Sequence, residues 1–522
     1  MSWCGAILLA IAAATSIDTP RAASQPSDDD DGSAAGSNGS AAGSGSASGV
    51  LLAPSEPTMR RAWLTERLTA ATTSRPALAG AKITAAVLDL ETNQPLYRLG
   101  GDVKQNLASN AKLLTSTAAL ATLGNGFRWR TAVFAEKPPD ATGTIQGDLY
   151  LRGRGDPMLS AAHLEELAQE LYARGIRTIE GKLVIDTTYF DDLVEPPHFD
   201  EQPKERAGFR APVASLGVAR SAATVVVVAN PGGSAEVTLE PDAGDYLRIT
   251  KREVTSITQG RTRLRVDIKP KRDHVEYEVS GQIRVGEGSW DFRRRVDEPA
   301  RFAGEVFRRA LIARGITIRE RGLPVRPVPP TAKQLAFHDS APLAEIVRFM
   351  NKTSDNYVAE SVLKTLGAET RTTPGPATWA DGLAAVRAYL ASIGIPESSY
   401  RIENGSGLFS ATEVSADQLV KLLAAAHADY RVGPDLLGSL PIGGADGTLG
   451  RRWYGQPARG RVRAKTGTLD KVITLSGYVA VDSKRPIAFA ILVNDIPAGQ
   501  RAAARATIDD MVNVIAAYLG AR

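Results

Sequence analysis

Ser109 and Lys112 stand three positions apart at the head of the apolar run Leu113-Leu114-Thr115-Ser116-Thr117-Ala118-Ala119-Leu120. On a helix, positions i and i+3 share one face, so the amine can reach the hydroxyl. A serine in the first helical turn also lies beside unpaired backbone N–H groups and the positive end of the helix dipole. A neutral lysine there could take the serine proton, and the oxyanion formed by attack on a carbonyl would meet backbone donors. That chemistry is acyl transfer. The pair alone says little, because Ser361-Val362-Leu363-Lys364 repeats it. The second copy reads as mid-helix, where a serine lacks free backbone donors.

Acyl transfer from a peptide also needs a proton route to the leaving amine and a seat for substrate charge. Two further stretches offer the residue types. In Ser354-Asp355-Asn356, the serine hydroxyl can relay a proton, and the Asn356 amide can hold both Lys112 and a peptide group without adding charge. In Lys465-Thr466-Gly467-Thr468, a cation and two hydroxyls suit a terminal carboxylate. Gly467 removes a side chain, so substrate could lie along the strand. Lys465 as a second nearby cation, together with burial, would lower the pKa of Lys112 and free it to act as a base. The backbone N–H groups of Ser109 and Thr468 are the natural oxyanion pair. Singly, Ser354-Asp355-Asn356 reads as a helix cap and Lys465-Thr466-Gly467 as a strand-turn element. In this order, on a helix start, a loop and a strand, the trio is the signature of class A β-lactamases and penicillin-binding proteins.

The surrounding pattern supplies elements that could position these residues. Met59–Ala71 has helical periodicity, Ile83–Leu90 and Pro95–Leu99 read as a hairpin, and a helix runs from Ser109 to about Gly124. A helix over Pro342–Asn351 leads into the Ser354 loop. Val462–Thr468 reads as an exposed edge strand, Val472–Val481 and Ile487–Val493 as its successors, with a turn at Asp482 to Arg485 between them. A helix over Ala502–Leu519 follows. Between these parts the texture changes to short β-like runs with Gly-, Pro- and Asp-rich turns. The expected division is a catalytic domain over 54–142 and 336–522, an inserted module over 143–335, and a smaller β-rich insert at about 213–290. The expected class is α+β: an antiparallel sheet flanked by helices, with inserted α/β and β-rich modules.

The chain has 522 residues, 43% apolar and 23% charged, which is ordinary globular composition. Its formal charge is +4; residues 1–49 carry Arg21 against Asp18 and Asp28 to Asp31, so the positive excess lies in the remainder. A basic body suits an anionic surrounding such as a cell-wall polymer. Cys4 is the one cysteine, which excludes an intramolecular disulfide and a thiolate zinc site. Residues 1–23 read as a signal peptide around the apolar stretch Ala6–Ala14, and 24–53 as a Ser/Gly/Asp-rich flexible linker. The expected location is therefore outside the cytoplasm, in a periplasm or cell-wall space. Nothing after the first residues approaches a membrane span, so any membrane association is at most peripheral. The five histidines, His163, His198, His274, His338 and His427, show no catalytic setting, and no Gly-x-Ser-x-Gly occurs in the folded part.

Beyond the trio, the chain contains Gly147-Asp148-Leu149 with Gly155-Asp156-Pro157, the run Met350-Asn351-Lys352-Thr353-Ser354-Asp355-Asn356, Gly405-Ser406-Gly407-Leu408 and Asp446-Gly447-Thr448-Leu449. With these motifs it resembles the D-alanyl-D-alanine carboxypeptidase/endopeptidases, the low-molecular-mass class C penicillin-binding proteins, over roughly residues 60–520. Ser354 follows Ser109 by 245 positions, which matches that family's large insertion and disfavours class A β-lactamases. Two departures touch the substrate pocket: Asn404 stands where the family usually has Asp, and Phe409-Ser410 where it often has Ser-Arg. The resemblance implies a serine D,D-peptidase acting on peptidoglycan stem peptides. It would release terminal D-Ala or cut D-Ala-to-diamino-acid cross-links through an acyl-Ser109 intermediate. β-Lactam antibiotics would be its covalent inhibitors. It implies no metal, no organic cofactor and no nucleic-acid partner. The inserts could shape the cleft, bind glycan or mediate a homodimer. The rival readings are a serine β-lactamase and a non-catalytic wall-binding or penicillin-sensing module.

Overall fold

Five antiparallel strands form the sheet from which the Ser109 region hangs. Across it they run Val462–Leu469, Val472–Val479, Ile487–Asn494, Lys82–Asp89 and Gln94–Leu99. The N-terminal hairpin thus pairs with the last strand of the chain, Ile83 opposite Val493 and Val87 opposite Phe489. These coordinates are a computed structural model and describe residues 51–482 and 486–521. The leader, all but the end of the 24–53 linker, and Ser483 to Arg485 of the turn lie outside the described residues.

Strand side chains alternate between faces. Ile487, Phe489, Ile491 and Val493 enter one core, and Ala488, Ala490 and Leu492 the other. The first face is covered by helices Pro57–Thr73 and Arg501–Gly520 through Leu64, Leu68, Ile508, Met511 and Ile515. On the second, helix Ala416–Ala428 packs on the sheet, and helices Lys112–Leu123, Leu343–Thr353 and Asn356–Thr370 share the core behind it. Coverage on both faces explains why Val472–Val479 and Ile487–Asn494 are buried at every position and read as near-continuous apolar runs. Val462–Leu469 lies at the sheet edge. The architecture is the α+β one expected from the sequence.

One local expectation fails. The α-helix begins at Lys112, and Ser109 sits ahead of it in the 3-10 turn Ala108–Ala111, entered through a left-handed Ala108 at φ 46°. The hydroxyl still faces the amine, because a 3-10 turn also brings i and i+3 together.

The inserted chain leaves and returns through one paired stem. Arg130–Ala135 and Lys333–Asp339 run antiparallel, with Arg130 opposite Asp339, in a four-stranded sheet with Leu149–Arg152 and Leu183–Asp186. Val133, Ala135 and Ala336 belong to the insert's core, so the stem extends beyond 143–335 at both ends. Helices Ala161–Ala173 and Pro299–Ala313 pack in the same core. Two three-stranded sheets make the β-rich part, which reaches Arg295: Glu236–Glu240, Ala222–Val228 and Ser289–Arg295, then Leu247–Ile257, Val275–Arg284 and Arg263–Pro270. Thr178–Asp186, which reads as one strand, is two. Thr178–Ile179 and Leu183–Asp186 join different sheets, and the break is at Gly181, where a Cβ would lie 2.6 Å from the Gly147 carbonyl.

Candidate active site

The Ser109 turn is pinned from three sides. Asn106 Oδ1 accepts from the Ala108 N–H at 2.8 Å, and the Asn106 amide donates to the Phe409 carbonyl at 2.9 Å. Asn494, at the end of the last strand, closes a two-way exchange with the Asn106 backbone at 3.0 and 3.1 Å. Thr474 donates to the Leu107 carbonyl at 2.8 Å and accepts from the Asn110 amide. Every anchor but Phe409 is a polar side chain whose partner is fixed by a strand or by the turn itself.

Lys112 is fully buried and its Nζ has three neighbours: Ser109 Oγ at 3.0 Å, Asn356 Oδ1 at 2.7 Å and the Ser406 carbonyl at 2.9 Å. A neutral amine has two hydrogens and one lone pair. Asn356 and Ser406 take the hydrogens, which leaves the lone pair for the serine hydroxyl. Burial lowers the Lys112 amine to about 7, against the opposing pull of Glu360 and Asp355. Lys465 is also fully buried and donates to Ser354 Oγ at 2.8 Å and to the Thr466 carbonyl at 2.8 Å. Burial, then the nearby Lys112 charge, pushes it well below its ordinary value. Two ammonium groups this close in a dry site resist being charged together.

Ser354 joins two helices. It is the left-handed C-cap of Leu343–Thr353, at φ 62°, and Asp355 is the N-cap of Asn356–Thr370, accepting from the Val358 N–H at 3.0 Å. A non-glycine residue held left-handed is costly and persists where its surroundings over-determine it. Here the insert does so. Asn356 donates to the Phe209 carbonyl at 3.2 Å, and Asp355 pairs with Arg220 at 3.1 Å and Arg293 at 3.8 Å. Arg220 lies in a run of three left-handed residues, Ala219 to Ser221.

The Lys465 strand packs against the Ser109 turn. A Cβ on Gly467 would fall 2.2 Å from Thr474 Oγ1 and 2.6 Å from the Leu107 carbonyl. The missing side chain therefore lets this edge strand approach the Ser109 turn, a packing reason beyond the one inferred from the sequence. Thr466 Oγ1 lies 2.8 Å from Thr448 Oγ1, and Thr468 is half-buried beyond it. Lys352 ties the same region together, bonding Asp446 at 2.6 Å and the Leu440 carbonyl at 2.6 Å. Ser109, Lys112, Ser354, Asn356, Lys465 and Gly467 all meet in this one place. Lys364 of the second Ser-x-x-Lys copy instead pairs with Asp191 and the Leu193 carbonyl.

The D-Ala-D-Ala carboxypeptidase 3 (S13) family matches residues 64–518. This chain belongs to that family. A D-alanyl-D-alanine carboxypeptidase of Actinomadura sp. (strain R39) is 36% identical over 462 residues, 85% of this chain and 83% of that one. D-alanyl-D-alanine carboxypeptidase DacB of Haemophilus influenzae is 26% identical over 424 residues, 80% of this chain and 87% of the relative. The crystal structure of penicillin binding protein 4 (dacB) from Haemophilus influenzae has the same fold, with a TM-score of 0.70 at 23% identity over 85% of this chain and 97% of that one. A second structure of that protein, complexed with a β-lactam, gives 0.66 at 24% identity over 86% and 98%.

As an S13-family serine peptidase, the chain carries supporting residues that motif reading passed over. Buried Glu360 accepts from the backbone N–H of Gly405 at 3.0 Å and of Ser406 at 2.8 Å, and from the Trp379 indole at 3.0 Å. It thereby sets the Ser406 carbonyl that Lys112 meets. Gly407, at φ 74°, packs where a Cβ would lie 2.0 Å from the Ala108 carbonyl. Asn404, the departure from the family's Asp, is fully buried. It accepts from the Gly407 N–H at 2.8 Å and donates to the Pro197 carbonyl at 3.1 Å, which a carboxylate could not do. In the sequence, the Gly-Ser-Gly-Leu turn was the visible signal for this support. Glu360, Phe209 and Arg220 carried none, since each acts through a contact made across the fold.

Proposed function

We propose that Ser109 is the nucleophile of a D-alanyl-D-alanine carboxypeptidase and that Lys112 is its general base. The observation that carries the reading is the Lys112 amine, lowered to about 7 by burial and 3.0 Å from Ser109 Oγ. Lys112 takes the hydroxyl proton as Oγ adds to the penultimate D-Ala carbonyl. The backbone N–H groups of Ser109 and Thr468 stabilise the oxyanion. The C–N bond breaks as a proton passes through Ser354 to the leaving D-Ala amine, leaving acyl-Ser109, which water then hydrolyses. Lys465, Thr466 and Thr468 bind the terminal carboxylate, whose charge supplies the counter-ion that buried Lys465 lacks. Asn356 holds Lys112 and the substrate amide, and Gly467 keeps the strand open to the peptide.

Stem-peptide cross-links ending at a diamino acid fit the same chemistry, and β-lactams would acylate the same serine. The basic body and the leader-like N-terminus support an exported enzyme facing cell-wall polymer. Among the described residues, no helix is long and apolar enough to cross a membrane. The test is intact-protein mass spectrometry after labelled penicillin. One adduct on Ser109, absent in Ser109→Ala, is expected; an adduct on Ser361 would overturn the assignment. Sustained nitrocefin turnover would favour a β-lactamase, and a muropeptide digest would apportion carboxypeptidase and endopeptidase action.

A further inference from the structure

Asp156, His163 and His338 come together inside the insert, and none of them bonds a residue of the Ser109 site. Asp156 lies in the loop after Leu149–Arg152, His163 in the first turn of Ala161–Ala173, and His338 in the returning stem strand. The two imidazoles stack, with ring centroids 4.0 Å apart and planes 20° apart. One ligand atom from each of the three residues lies within 4.8 Å of the others.

The cluster is poorly served by protein hydrogen bonds. Asp156 is 3% exposed, and its Oδ1 accepts from the Met158 N–H at 2.9 Å. Its Oδ2 is buried without a hydrogen-bond partner among the described residues, and so is His338 Nε2. These two atoms face each other at 3.9 Å, beyond hydrogen-bond range. Leaving an acceptor and a ring nitrogen buried and unjoined is costly. Two donors about 2.1 Å from one tetrahedral ion lie about 3.4 Å apart, so Asp156 and His338 need close only slightly, while the His163 ring must turn out of its stack on His338 to aim a lone pair at the same ion.

We propose that Asp156, His163 and His338 form a structural site for a divalent transition metal of the zinc class. Two imidazoles and a single carboxylate oxygen suit zinc or cobalt rather than magnesium or calcium, which take all-oxygen shells. Glu166 lies one turn beyond His163 on the same helix but is exposed and outside this group of converging ligand atoms, so water would complete the shell. Metal on His163 Nε2 puts the ring proton on Nδ1. The long 3.3 Å cap from the Ser160 N–H to that nitrogen is then given up.

The ion would bolt the outgoing loop, the first insert helix and the returning stem strand together. The Asp156 charge also bears on Tyr357, the neighbour of Asn356. The site would act through rigidity, while the acyl transfer itself runs on side chains and backbone.

The test uses tag-free protein, stripped with dipicolinate and gel-filtered. Zinc chloride is titrated by calorimetry, and cobalt chloride is followed by visible absorption. One tight equivalent, intense tetrahedral cobalt bands and a raised Tm are expected. Asp156→Asn and His163→Ala should each abolish all three, while His427→Ala keeps them. His163 is less buried than Asp156, so its variant serves if Asp156→Asn fails to fold. No stoichiometric uptake by the parent protein, uptake only at millimolar zinc, or unchanged uptake in His163→Ala would overturn the proposal.

Discussion

On the proposed mechanism, the protonation state of one amine decides the rate. With burial holding Lys112 near 7, protonation in acid removes the lone pair aimed at Ser109. The acylation rate should therefore fall about tenfold per pH unit below about 7 and level off above it. Stopped-flow acylation by a fluorescent penicillin across that range checks this, and a flat profile through pH 6 would refute the general-base role. Lys112→Arg keeps the length and charge but cannot give up its proton. It should lower acylation by about 10²–10⁴. The residues proposed to do the chemistry were read from type and order, and the fold brings Ser109, Lys112, Ser354, Asn356 and Lys465 together. Their supporters were not, because Glu360, Phe209 and Thr474 are ordinary residues until folding sets them against the Ser406 N–H, Asn356 and Asn110.

Single contacts between elements govern how well those residues are aimed. Gly467→Ala places a methyl carbon against Thr474 and the Leu107 carbonyl. Overpacking of this kind should cost about 1–3 kcal/mol, read from urea denaturation, and slow acylation further by moving the Ser109 turn. Arg220→Ala frees Asp355 at the mouth of its helix. The acylation rate should drop at unchanged penicillin affinity, with partial return in Arg220→Lys; equal loss of both would mean Arg220 is merely structural. Where one local signal sets a boundary, the sequence carries it: Ser415 starts Ala416–Ala428 through a capping box with Gln418. Reading failed at Ser109 and at Thr178–Asp186, where a neighbouring element overrides the local preference.

Across the whole molecule, the insert is part of the active-site scaffold. Phe209, Arg220 and Arg293 reach from it to Asp355 and Asn356. Excising the chain beyond the stem, with Ala135 joined to Lys333 by a short turn, should leave the five-stranded sheet folded by circular dichroism. It should nearly abolish acylation, because the strained Ser354 then loses its restraint. Retained acylation would show the insert to be dispensable. The sheet is also completed by both ends of the described chain, so Ile515→Ala, at its core contact, should cost about 2–5 kcal/mol in global stability.

The order of hydroxyl, amines and carboxamide along the chain, the helix and strand periodicities, and the presence of a large insertion were all written in the sequence. They depend on residue type and short-range spacing, which one strand of text carries in full. Tertiary structure alone decided that Ser109 leaves the helix for a 3-10 turn, that Gly467 is demanded by the Leu107 backbone, and that the insert grips Asp355. Each of these is a contact between residues distant in sequence, and such contacts exist only after the chain has closed on itself.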